Sequence, residues 1–203
     1  MLRAIIDTGL IWLPEKGIGY FPVDDFLYDK KYFDKYAGYA TTERGKRITD
    51  ARVAFVNRNY GGEVVDVGIG CGQFVATHGA AFGFDINPVA VRWLKDRALW
   101  HDIYEQKCDA LTFWDSLEHI KDIKAVVGRA RKFVFVSMPI FENCEHLLRS
   151  KHFRKDEHYW YFTERGIIDW FADQGFGLID CSHTERSFGR EDITTYAFWR
   201  ENA

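Results

Sequence analysis

Three glycines alternate along one short segment of the chain, Glu63-Val-Val-Asp-Val-Gly-Ile-Gly-Cys-Gly72, directly after a run of apolar residues. A second apolar run ends in another carboxylate, Asp85, 19 residues after Asp66. Glycines let the backbone pass close to a ligand because they carry no Cβ. An acid at the end of the next strand can accept hydrogen bonds from both hydroxyls of a ribose. The two segments therefore predict an α/β sheet that binds a cofactor containing a nucleoside.

The spacing of the glycines distinguishes between cofactors. A dinucleotide fingerprint, G-x-G-x-x-G, that began at Gly68 would need a third glycine at position 73, which is Gln73. The third glycine is Gly72, and Asp66 precedes the turn, where it would repel a phosphate but could bind an ammonium group. This D-x-G-x-G-x-G pattern resembles motif I of the class I S-adenosylmethionine-dependent methyltransferases, and Asp85 matches the ribose-binding acid of their second strand.

The resemblance implies that S-adenosyl-L-methionine is the cofactor. It places the methionine end at Asp66 and the glycine loop, the ribose at Asp85, and the adenine at Asp102 and Ile103. The residues expected to contact the cofactor are Asp66, Gly68, Gly70, Gly72, Asp85, Ile86, Asp102, Ile103, Asp115 and Ser116.

Two further segments are similar to motifs of the same family. Asp115-Ser-Leu-Glu-His119 follows an apolar strand and is similar to the family's "dvLEH" motif, and Lys155-Asp-Glu-His-Tyr-Trp-Tyr-Phe-Thr163 is similar to its "DEHxWxFT" segment. A histidine whose pKa is near neutrality suits proton removal, which makes His119 and His158 the candidate general bases. The alternative for both is structural: they cap or orient a helix, or pack within an aromatic core.

Composition narrows the class of protein. The chain has 203 residues, 47% of them hydrophobic, and a net charge of −3, which predicts one domain and no dense basic surface for nucleic acid. Its four cysteines form no C-x-x-C pair, and we expect no metal site and no disulfide framework. No apolar stretch is long enough to span a membrane, and no signal peptide is evident, so we expect a cytoplasmic protein.

The order of apolar runs and breakers predicts an α/β fold: a Rossmann-like, mainly parallel sheet that ends in an antiparallel hairpin, with helices on both faces. The resemblance implies seven strands in the order 3-2-1-4-5-7-6. We expect an N-terminal helical and aromatic lid over 1–60 and the core over 61–203, with residues 1–28 irregular. The pattern predicts helices at 29–37, 42–59, 72–79, 88–97, 122–130 and between Thr163 and Gly175, and strands at 63–67, 81–85, 99–103, 109–114, 132–137, 176–182 and 192–199.

The function expected from the resemblance is methyl transfer to a nucleophile on a small molecule or a macromolecule. The sequence leaves two alternatives open. One is an NAD(P)-dependent oxidoreductase on a similar sheet, which Gln73 and Asp66 disfavour. The other is a non-catalytic binding or regulatory subunit that keeps the fold. Neither the methyl acceptor nor the oligomeric state follows from the sequence.

Overall fold

Helices and strands alternate through most of the chain in a computed structural model that describes residues 8–24 and 28–201. The helices are α1 Lys30–Ala40, α2 Glu43–Asn59, α3 Gln73–His78, α4 Pro88–Lys95, α5 Ile123–Val127, α6 Cys144–Arg149, α7 Glu164–Asp173 and α8 Thr184–Ser187, with a 3₁₀ turn at Leu117–His119. The strands are β1 Ile11–Leu13, β2 Ile18–Tyr20, β3 Val64–Val67, β4 Ala81–Phe84, β5 Cys108–Trp114, β6 Ala130–Phe141, β7 Trp160–Thr163, β8 Gly177–Ser182 and β9 Ile193–Trp199.

The central part of the sheet has the predicted topology. Strands β4, β3, β5 and β6 are parallel neighbours in that order. Strand β9 then pairs antiparallel with β6, and β8 pairs antiparallel with β9. The predicted antiparallel hairpin at the end of a parallel sheet is therefore confirmed.

The predicted strand at 99–103 is wrong. Only one parallel bridge, between Gly83 and Trp100, marks the position beside β4 where it was expected. The chain turns directly afterwards, because the Asp102 carboxylate accepts a hydrogen bond from the backbone N–H of Tyr104 at 2.9 Å. The order 3-2-1-4-5-7-6 thus holds, with the third strand reduced to a single bridge.

The N-terminal region is more regular than the sequence predicted. Strands β1 and β2 form a hairpin, and β2 pairs antiparallel with β7, which the sequence analysis had also missed. Strand β7 in turn lies parallel to the last residues of β6, with Ile140 opposite Phe162. Within the described part of the chain, the sheet therefore has nine strands rather than the seven expected. Residues 1–7 and 25–27, also predicted irregular, lie outside the described part of the chain.

Other boundaries differ by a few residues. Thr42 caps α2 by accepting from the N–H of Gly45. Helix α1 continues to Ala40, beyond the predicted end at 37, whereas α5 is shorter than the predicted 122–130. Strand β6 extends beyond 137 through Pro139, which loses no ladder bond to β7 because that pairing begins at Ile140.

Side-chain alternation along the strands divides the core into two layers. Val65 and Val67 of β3 face one layer, which also contains α5 and α7 side chains such as Val126 and Phe171. Val64 faces the other layer, to which α2, α3 and α4 contribute Phe55, Val56, Phe74, Val75, Ala90 and Leu94. Helices on both faces are therefore confirmed. None of the helices within residues 8–24 and 28–201 has the length and apolar character needed to cross a membrane.

Candidate active site

The glycine loop, residues 68–72, joins β3 to α3 at the edge where the parallel strands end. Gly68, Gly70 and Gly72 have φ values of 80°, 58° and 82°, which favour glycine. A Cβ on Gly68 would lie 2.7 Å from the Cβ of Ser116, and one on Gly72 would lie 2.6 Å from the Trp93 ring. At Gly70 the nearest atoms would instead be those of Tyr36, 3.9 Å away. Gly70 is therefore where the loop leaves room beside its backbone.

Asp85 lies against this loop, as the sequence predicted. Its carboxylate accepts a hydrogen bond from the N–H of Asn87 at 2.8 Å. Burial raises the pKa of Asp85, and backbone N–H groups that include those of Ile69 and Gly70 oppose this rise. The next residue, Ile86, is 68% exposed. An acid and an exposed apolar side chain thus lie side by side at the loop, which suits a ligand that has both a sugar and a flat ring.

Asp66 is inside the protein rather than on the loop surface. Its side chain is 1% exposed and accepts a hydrogen bond from the Thr112 hydroxyl at 2.8 Å. Burial raises the pKa of Asp66 to about 8. This position does not offer the direct contact with an ammonium group that we expected, because the alternation of β3 turns the side chain into the core. We therefore expect Asp66 to support the loop from below.

The proposed adenine contacts are also arranged differently. Ile103 is fully buried in the core and has no exposed surface with which to cover a ring, which corrects that expectation. The Asp102 side chain is used in the turn to Tyr104. Tyr104 itself is exposed and its ring lies edge-on to Phe84, with 5.5 Å between the centroids. Among these residues, Tyr104 offers the exposed ring that Ile103 does not.

Asp115 and Ser116, after β5, hold the loop region in place. The Ser116 hydroxyl donates to the carbonyl of Val67 at 2.5 Å. Asp115 has a φ of 55°, uncommon for a residue with a side chain. Its carboxylate is bound by Arg52 at 2.7 Å and by Arg190 at 2.7 Å. These contacts give both residues a positioning role at the glycine loop.

The two arginines belong to a buried ionic network that the sequence analysis missed. Arg52 and Arg190 also bind Glu185, which is 2% exposed and accepts from the Ser137 hydroxyl at 2.8 Å. Burial alone would raise the pKa of Asp115, but Arg190 and Arg52 outweigh it and hold that pKa well below its usual range. No local motif signals these partners, because they come from segments far apart in the sequence.

A ladder of tyrosines connects α1 to the loop after β5. The Tyr32 hydroxyl donates to the Tyr36 hydroxyl at 3.3 Å, and the Tyr28 and Tyr32 rings meet edge-on, with centroids 5.0 Å apart. The Tyr28 hydroxyl lies 3.4 Å from Nδ1 of His119. The ladder thus extends from beside Gly70 to His119.

The structure brings His119 and His158 together. Their rings meet edge-on, with centroids 4.6 Å apart. Burial, assisted by Arg154, lowers the pKa of His119 to about 4. Burial and the neighbouring His119 lower the pKa of His158 to about 2. Both imidazoles are therefore neutral at pH 7, and each is a weaker base than a free histidine.

Comparison with known proteins agrees with this geometry. Residues 39–180 match the family described as the methyltransferase domain. The fold is similar to magnesium protoporphyrin IX methyltransferase from Synechocystis PCC 6803 with bound S-adenosylhomocysteine (SAH), at 18% identity and a TM-score of 0.62, over 85% of this chain and 95% of that one. A possible histamine N-methyltransferase from Thermotoga maritima is similar at 12% identity and a TM-score of 0.61, over 84% and 97% of the two chains.

The same fold is also found in the 4+2 cyclase SpnF, at 12% identity and a TM-score of 0.57, over 78% of this chain and 82% of that one. No curated protein matches the chain in sequence. Because the family match covers well over half of the chain and the sheet has the expected order, the chain belongs to the methyltransferase domain family, with the fold of the class I S-adenosylmethionine-dependent methyltransferases.

Proposed function

We propose that this chain binds S-adenosyl-L-methionine and transfers its methyl group to a nucleophile on a small molecule or a macromolecule. The observation that carries the proposal is the pairing of Gly70 with Asp85 at the end of β3 and β4. Gly70 leaves room beside its backbone, and the Asp85 carboxylate lies against that same backbone. Two of the similar structures were determined with a bound ligand, one with SAH and the other with S-adenosylmethionine. These ligands support the choice of cofactor.

The residues present suit this cofactor. Asp85 would hold the ribose hydroxyls, and the exposed Ile86 would cover one face of the adenine, with Tyr104 as a second candidate. When bound, the cofactor supplies a methyl group already activated on a sulfonium. The chain therefore has to position the acceptor and exclude water, and it needs little covalent chemistry of its own.

Tyr28, Tyr32 and Tyr36 are placed to exclude that water. All three side chains are partly buried, and desolvation raises the pKa of each phenol. They therefore stay neutral and form an uncharged wall. A dry, uncharged site favours a reaction in which positive charge is dispersed as the methyl group moves.

His119 and His158 remain the candidates for accepting a proton from the acceptor. Both are neutral at pH 7, so each has a lone pair available. Because their pKa values are lowered, they suit an acceptor that loses its proton readily.

Binding of SAH tests the proposal. We expect SAH, but not NAD, to raise the thermal midpoint of the purified protein, which separates methyl transfer from the oxidoreductase alternative. Asp85→Asn should weaken SAH binding by about tenfold or more, since a carboxylate that binds two hydroxyls contributes at least about 1.4 kcal/mol. Asp109→Asn is the matched control. Asp109 lies near the N-terminal end of β5, whereas the glycine loop lies at the C-terminal ends of the parallel strands.

An unchanged SAH affinity in Asp85→Asn, or a wild-type protein that binds no SAH, would refute the proposal. The similarity to a 4+2 cyclase makes turnover a separate question from binding. SAH binding without methylation in assays on nucleosides, quinone precursors, sugars and peptides would favour the non-catalytic alternative.

A further inference from the structure

Three potential metal ligands meet beneath the tyrosine ladder. Glu118 and His119 lie in the 3₁₀ turn after β5, and His158 lies just before β7. One ligating atom from each falls within 4.8 Å of the other two. The two segments are joined by the backbone, because the N–H of Tyr159 donates to the carbonyl of Glu118 at 2.8 Å. The cluster is therefore fixed by the fold rather than by a chance meeting of surface side chains.

Glu118 makes this cluster unusual. Its side chain is 1% exposed, and among the residues that the structure describes no group forms a hydrogen bond with Oε2. A buried carboxyl oxygen without a partner destabilises the folded protein, and does so more strongly when it is charged. A carboxyl oxygen of Glu118 belongs to the group whose other members are two imidazole nitrogens. Within the described residues, the fold thus retains a buried acid with one oxygen that no hydrogen bond satisfies.

We propose that Glu118, His119 and His158 bind a divalent first-row transition metal ion, for which Zn²⁺ is the first choice. Two imidazoles and one carboxylate form a ligand set that zinc accepts, whereas magnesium and calcium prefer oxygen ligands alone. Zinc ligands at about 2.0–2.1 Å lie roughly 3.4 Å apart in a tetrahedral site. In the structure the three ligating atoms lie within 4.8 Å of one another, so an ion would draw them closer together.

The surrounding charges are compatible with a cation. Asp115 acts on the two histidines as a negative neighbour, and Arg154 is the positive one. Arg154 is paired with the Glu157 carboxylate at 2.9 Å, which reduces its repulsion of an ion.

Three protein ligands leave a coordination position for one atom of another molecule. We infer that this position takes an oxygen atom of the methyl acceptor, which would make hydroxyl- or carboxyl-bearing compounds the preferred acceptors. Because an imidazole nitrogen bound to the ion has no free lone pair, His119 and His158 would then orient the acceptor through the ion rather than act as bases. This extension rests on the proposed function, whereas the metal site itself does not.

Cobalt titration of the whole chain tests the site. After treatment with a chelator and its removal, Co²⁺ should bind with a stoichiometry of about one and give the visible absorption of a site with nitrogen ligands, and Zn²⁺ should abolish that absorption. Glu118→Gln and His158→Asn should each weaken binding by at least about tenfold. His152→Asn is the matched control, because His152 is a nearby, partly buried histidine outside the cluster.

A wild-type protein that binds no Co²⁺ would overturn the proposal, and so would Glu118→Gln with wild-type affinity. Should His158→Asn fail to fold, Glu118→Gln decides the matter, since glutamine keeps the size of the side chain. SAH binding measured on the same samples separates the two ideas. Loss of metal affinity in Glu118→Gln with intact SAH binding supports the metal site, whereas absence of SAH binding in the wild type counts against the proposed function alone.

Discussion

Gly70 and Gly72 have similar left-handed backbones but different surroundings. A side chain at position 72 would collide with the Trp93 ring, whereas one at position 70 would point into the space beside Tyr36. Packing within the protein therefore requires glycine at position 72. At position 70, glycine instead leaves space for a ligand that approaches the loop from outside.

This difference gives a matched pair of substitutions. Gly72→Ala should lower the free energy of unfolding by roughly 2–4 kcal/mol, from left-handed strain and from overpacking. Gly70→Ala should lower it by only about 1–2 kcal/mol, because the strain acts there without the collision. Relative to its smaller loss of unfolding free energy, Gly70→Ala should cause a larger loss of SAH affinity than Gly72→Ala. Urea unfolding and calorimetry measure the two quantities, and equal effects of both variants would contradict this assignment.

The residue scale also shows where sequence reasoning stopped. The glycines and Asp85 could be predicted because their spacing is local and their chemistry is specific. The partners of Asp115 could not be, since Arg52 and Arg190 lie 63 and 75 residues from it in the chain. Among the described residues, Oε2 of Glu118 has no hydrogen-bond partner. This property depends on the three-dimensional surroundings of the side chain, so no local sequence pattern predicts it.

At the scale of elements, α1 is held mainly at its ends. None of its residues from Lys30 to Ala40 is buried. The carbonyl of Asp29 accepts from the Asn87 side chain at 3.0 Å, and the carbonyl of Ala40 accepts from the Gln73 side chain at 2.9 Å. Both donors adjoin the expected cofactor site, so the helix is tied to the elements that it would cover.

We therefore expect Tyr36→Ala to raise the dissociation constant of SAH by about tenfold, or 1.4 kcal/mol, because it removes the ring beside Gly70. Tyr39→Ala is the control on the same helix, since that side chain is 39% exposed. Calorimetry on both variants decides whether α1 acts as a lid. An affinity that Tyr36→Ala leaves unaltered would exclude a contact between this ring and the cofactor.

The elements differ in how well the sequence predicts them. Strand β3 and helix α2 follow from an apolar run and from a capped apolar stripe. The β1–β2 hairpin was missed because its strands have three residues each and are separated by Pro14 and Gly17. Such short strands form through pairing with β7, and that pairing is not visible in the local sequence.

For the whole molecule, buried acids make stability depend on pH. Asp66 and Glu118 both have a pKa raised to about 8 by burial. The stability that comes from keeping them protonated is complete below their unfolded pKa values and is lost as the pH rises toward 8. His119 and His158, whose pKa values are lowered, act in the opposite direction between about pH 4 and 6.5.

We expect the free energy of unfolding to fall between about pH 6.5 and 8, by up to about 1.4 kcal/mol per pH unit for each acid. Asp66→Asn should remove one of these contributions and flatten the slope. Asp109→Asn should not, because lysine and arginine partners lower the pKa of Asp109 and keep it ionised in this range. Urea unfolding at a series of pH values, with a chelator present, measures the slopes, and parallel curves for wild type and Asp66→Asn would refute the prediction.

The pairing of β2 with β7 also bears on how the chain acquires its shape during synthesis. Ile18 lies opposite Phe162, so this contact closes a loop of about 140 residues. Strands β3, β4 and β5 pair with one another over much shorter separations. Because β7 is synthesised after β3, β4 and β5, we expect a growing chain on the ribosome to complete its glycine loop before His158 reaches His119. The capacity to capture an ion would then be among the last properties that the newly made protein gains.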